Sequence, residues 1–99
     1  MRELSPFDAR QLSRMCQTVA DYRAGSIQIG TVISNFDGLL KAMEDVSPEW
    51  KDSVQAEINV LDLVWAAALD QKRKQWSEQD RDLIEKTLTL LERLLEEVR

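Results

Sequence analysis

Histidine is absent from this 99-residue chain. That removes His-based acid–base chemistry, His-paired nucleophiles and most zinc, haem and di-iron sites. One cysteine, Cys16, cannot form an internal disulfide, a usage that fits a reducing cytoplasm. No stretch approaches the ~18 uncharged apolar residues of a transmembrane helix. The opening residues, Met1 to Pro6, lack the apolar core of a signal peptide, so no leader is expected. Glycine is scarce, at 25, 30 and 38, and forms no phosphate-cradling or dinucleotide pattern; the calcium-loop pattern is missing as well. Basic residues are outnumbered, 13 against 18 acids, for a net charge of −5. Phosphate binding needs net cation density, so direct nucleic-acid binding is not expected. These absences argue against an enzyme and leave a cytoplasmic binding or assembly role without cofactor or metal.

What is present is 43% hydrophobic and 31% charged residues, enough for one core and one domain over 1–99. The spacing predicts an all-α bundle of about four helices. Helix 1 starts at Ser5, with Pro6 at the first helical position and Asp8 three residues after the cap. Its stripe is Leu12, Met15, Cys16, Val19 and Tyr22, and Gly25 is a left-handed stop. Helix 2 is expected over roughly 28–45, with Ile29, Val32, Ile33, Phe36, Leu39, Leu40 and Met43 inward. Gly30 and Gly38 inside it each cost ~1 kcal/mol relative to alanine. They either loosen or kink the helix or let another backbone approach. Ser26 to Ile29 alternates too briefly to argue a strand.

Helix 3 opens at Ser47-Pro48-Glu49 and carries Val54, Ile58, Leu61, Trp65 and Ala68 at spacings of 4, 3, 4 and 3, running to about Lys74. Helix 4 opens at Ser77, where Asp80 completes a capping box. Its seam is Ile84, Leu88, Leu91, Leu95 and Val98, flanked by Leu83, Leu90 and Leu94. Matching seams and a short link predict a long antiparallel helix 3/helix 4 hairpin, with helices 1 and 2 on its open side. The apolar positions of helix 4 exceed what one small domain covers, so a homodimer through helices 3 and 4 is the alternative assembly reading.

Paired carboxylates are plentiful, but two carboxylates act as acid and base only in a cleft that separates their pKa values. Acids such as Asp8, Glu49, Glu78 and Asp80 sit at helix starts, where they complement the dipole and stay solvated. Cys16 reads as a buried structural thiol. Lys72-Arg73-Lys74 reads as a basic helix C-terminus. The charge map is more informative. Residues 37–70 hold eight acids against two lysines, a net of −6, while the other 65 residues sum to +1. A concentrated negative field steers a basic partner. Asp37, Glu44, Asp45, Glu49 and Asp52 are the candidate partner-binding acids. Trp50 is either their apolar anchor or a lid on the core. Trp65 reads as core, and Trp76 as a staple closing the last link.

The stretch Tyr22-Arg23-Ala24-Gly25-Ser26-Ile27-Gln28-Ile29, the helix with Phe36, Leu39 and Leu40, and then Ser47-Pro48-Glu49-Trp50 with a long third helix form a pattern over residues 12–70. It resembles the opening of small all-helical bacterial immunity proteins of the colicin D and contact-dependent growth inhibition type. Gln28 stands where a Ser or Thr would cap helix 2 better. The resemblance implies a stoichiometric inhibitor of a cognate toxin, commonly a nuclease with a cationic substrate cleft. The acidic segment would then mimic nucleic-acid charge.

Overall fold

The computed structural model describes residues 4–70 and 76–98. Four helices follow one another: α1 (Pro6–Arg23), α2 (Ile29–Ala42), α3 (Pro48–Asp70) and α4 (Glu78–Glu97). No strand occurs among the described residues, and 26–28 form the bend that leads into α2. The expected last turn of helix 3 and the basic run Lys72-Arg73-Lys74 lie outside the described residues.

Local chemistry sets the helix ends. The Ser5 hydroxyl accepts from the Asp8 amide, and Pro6 occupies the first turn of α1. Gly25, at φ 81°, makes the left-handed turn after α1, a conformation that strains any side chain carrying Cβ. Gln28 caps α2 with its backbone alone; its side chain makes no capping bond. Ser47 caps α3 by accepting from the Trp50 amide at 3.1 Å. Ser77 and Asp80 form the expected capping box.

The packing is a ring. α1 lies against α2 and α4, and α3 lies against α2 and α4, so α1 and α3 are diagonal partners. Consecutive helices are antiparallel, giving an up-down-up-down bundle. The core is the expected set of seams: Leu12, Met15 and Val19; Val32, Phe36 and Leu40; Val54, Ile58 and Leu61; Ile84, Leu88, Leu91 and Leu95. Burying each such side chain contributes ~1.5–3 kcal/mol. Cys16 is half-buried against this core, less enclosed than the stripe implied. Helix 4 carries no large surplus: Leu90, Leu94 and Val98 are partly covered, and Leu83 alone of its large residues is counted as exposed. The larger exposed leucine is instead Leu63, 71% open on α3.

Neither glycine breaks α2, which runs unbroken from Ile29 to Ala42. Gly38 has open space where a Cβ would sit. At Gly30 a Cβ would lie 3.0 Å from Cζ2 of Trp65, so the close approach is made by an indole ring rather than a backbone. The α1–α4 seam is the thinnest of the four. There Arg23 spans to α4, donating to Glu85 and to Glu92, each at 2.5 Å. Glu85 and Glu92 lie seven residues apart, two turns on one face of α4.

Candidate functional site

One end of the bundle gathers the start of α1, the α2–α3 connection and the end of α4. Its organiser is Asp8. The spacing of the α1 seam, read backwards from Val19 through Met15 and Leu12, arrives at position 8, where an aspartate stands in an apolar register. Its side chain is fully buried, contrary to the solvated reading given to acids at helix starts. Instead of closing a capping box on Ser5, the carboxylate reaches across to the chain after α2. It accepts from the Asp45 amide at 2.6 Å and from the Glu44 amide at 3.1 Å. Those two bonds end α2 early. Met43 turns extended, at ψ 136°, so the helix stops at Ala42 rather than near 45. Lys51 adds a second tie, donating from Nζ to the Met43 carbonyl.

This frame fixes the backbone beneath four of the expected acids. Glu44, Glu49 and Asp52 are exposed and Asp45 is half-buried, all within the connection and the start of α3. The end of α4 comes to the same corner, because the Leu94 carbonyl accepts from the Trp50 indole at 2.7 Å. Glu96 and Glu97 therefore stand at this end too. They occupy the last turn of a helix that has no basic residue there. Acids at a helix C-terminus oppose the dipole and cost ~0.3–1 kcal/mol each.

One of the expected residues does not join the corner, and another lies beneath it in the core. Asp37 lies more than a turn back from the end of α2 at Ala42, about 7.5 Å of helical rise, and pairs with Lys41 at 3.0 Å. Trp50 is 6% exposed, its ring in the core and its one donor bonded to Leu94. It is the lid, not the anchor. The exposed aromatic at this end is Phe7, 44% open and adjacent in sequence to Asp8. The signal for it was the register again. If position 8 faces inward, position 7 is rotated about 100° away, toward solvent.

No protein-family model, curated protein or solved structure matches this chain. The reading of the corner rests on its own chemistry. Among the described residues no group of three or more Cys, Asp or Glu side chains is arranged to hold a metal ion. None of the described helices is long and apolar enough to cross a membrane. Glu44, Glu49 and Asp52 are exposed, so the arrangement suits ion pairing with a cationic surface.

Proposed function

We propose that this chain is a protein-binding inhibitor whose acidic end engages a basic partner, in the manner of an immunity protein neutralising a nuclease-type toxin in the cytoplasm. The observation that carries the reading is the buried Asp8 carboxylate holding the Glu44 and Asp45 amides. It fixes the backbone that bears the acids, so less ordering remains to be done on binding. Glu44, Asp45, Glu49 and Asp52 supply charge resembling a phosphate backbone, and Phe7 supplies apolar contact beside them. The concentration of acid in residues 37–70 and the resemblance over 12–70 support the same reading. Such a partner associates faster at low salt, because surface charge acts mainly on the on-rate.

The test is affinity capture with the tagged chain from cells that produce it, eluting with rising salt. The proposal expects one basic protein at near 1:1 ratio, whose nuclease activity the chain suppresses. Reversing Glu44, Asp45 and Glu49 together to lysine should lower affinity at least tenfold while helicity stays unchanged. Unchanged affinity in the folded triple variant rejects the charge-mimic mechanism.

A second reading, a homo-oligomeric assembly module, draws on Leu63, 71% exposed on the outward face of α3 with Ala56, Ala66 and Ala67. Sedimentation at high micromolar concentration separates the two: a monomer removes the assembly reading, and a dimer lost in Leu63→Lys supports it.

A further inference from the structure

At the opposite end of the bundle, Tyr22, Ile27, Trp65, Leu69 and Trp76 line an open cavity of about 590 Å³. This lies within the range of small-molecule pockets, about 300–1,000 Å³. Three of those five side chains are aromatic. Leu69 is 58% exposed at the rim, so apolar surface is left facing water. Among the described residues, the charged groups that line the cavity, Arg23 and Glu85, are bonded to each other, Nε to Oε1 at 2.9 Å and Nη2 to Oε1 at 2.5 Å. Arg23 also holds Glu92. Burial, with Glu85 adding, raises the pKa of Tyr22 above its ordinary 10.0, so its phenol stays neutral at physiological pH.

We infer that this cavity binds a small, neutral, planar aromatic molecule, stacked among Tyr22, Trp65 and Trp76. Aromatic pairs in offset or edge-to-face arrangement gain ~0.5–1.5 kcal/mol beyond their buried area. Gly30 is the positioning residue of this site. It leaves room for the indole of Trp65 to lie against α2, with Cζ2 only 3.0 Å from where a Cβ would be. That close seat gives a local reason for a helix-weakening glycine at position 30, which the open space around Gly38 does not give.

The test titrates indole into ¹⁵N-labelled protein and follows the three tryptophan Nε1–H signals. The inference expects saturable shifts at Trp65 and Trp76 and none at Trp50, whose indole is bonded to Leu94 at the other end. Tryptamine and indole-3-acetate carry the same ring with a positive and a negative charge, and neither should bind tighter than indole. Gly30→Leu should weaken indole at least tenfold, and Gly30→Ala by less, with far-UV circular dichroism unchanged. If Gly30→Leu fails to fold, Trp76→Ala takes its place with the same expected loss. The inference is overturned by absent shifts at Trp65 and Trp76 up to millimolar indole, or by unchanged binding in the folded variants. Tenfold tighter binding of either charged analogue also overturns it.

Discussion

At the acidic end of the bundle a polar group reaches inward and ties backbone to backbone; at the aromatic end the polar groups reach across the surface and tie side chain to side chain. Asp8 is fully buried and holds the Glu44 and Asp45 amides. Arg23 holds Glu85 and Glu92 with side chains 33%, 58% and 46% exposed. A hydrogen bond to a buried carboxylate is worth more than a screened pair in water. The acidic end is therefore a rigid frame that displays charge outward. The aromatic end leaves apolar surface open and spans Arg23 across Glu85 and Glu92. The protein is 44 Å along its longest axis, so the two ends stand well apart.

Substitutions can break or sharpen that contrast. The largest effect belongs to Trp50→Ala, which removes a core indole and its bond to Leu94. We expect a loss of about 3–5 kcal/mol in urea unfolding. Asp8→Ala should cost about 1–3 kcal/mol, because the Glu44 and Asp45 amides lose their acceptor. Asp8→Asn should cost less, since one acceptor oxygen remains. If Asp8→Ala is neutral, the corner is not held as described. Next, Gly38→Ala should stabilise by about 1 kcal/mol, having open space to fill. Gly30→Ala should gain less, since Trp65 must give way. Equal gains at both positions would contradict the indole seat. Arg23→Ala should cost at most about 1 kcal/mol and less still in high salt. A loss as large as that of Asp8→Ala would erase the contrast between the ends.

The smallest effect concerns pH. Burial first, then Glu85, hold the Tyr22 phenol above its ordinary 10.0. The unfolded chain ionises the phenol before the folded chain does, so this contribution is complete below pH 10 and lost as pH rises beyond it. Tyr22→Phe should flatten that part of the alkaline decline, as seen in unfolding midpoints between pH 9 and 11.

Much of this architecture was legible in the sequence, because apolar spacing and capping residues act locally. Ser5-Pro6, Ser47-Pro48 and Ser77 marked helix starts, and seams such as Ile84, Leu88, Leu91 and Leu95 are buried as their spacing implied. Asp8 was misread because residue type alone suggested a solvated acid; its register suggested a buried one. Trp50 was undecided because its partner, the Leu94 carbonyl, lies 44 residues away. Helix 2 was drawn too long for a similar reason, since its end is set by a carboxylate from α1. Asp37 entered the candidate site on charge density, which ignores both rise along a helix and a neighbour such as Lys41. The Arg23 bridge and the aromatic cavity depend on contacts between distant helices and left no local mark.

The measurement that bears most directly on the central claim is the affinity of the captured basic partner for the native chain and for the Glu44→Lys, Asp45→Lys, Glu49→Lys triple variant, read by calorimetry at two salt concentrations. The account predicts at least a tenfold loss in the folded variant, and a salt dependence that the variant no longer shows. Equal affinity and equal salt dependence in the two proteins would contradict it and leave the acidic end an ordinary solvated surface.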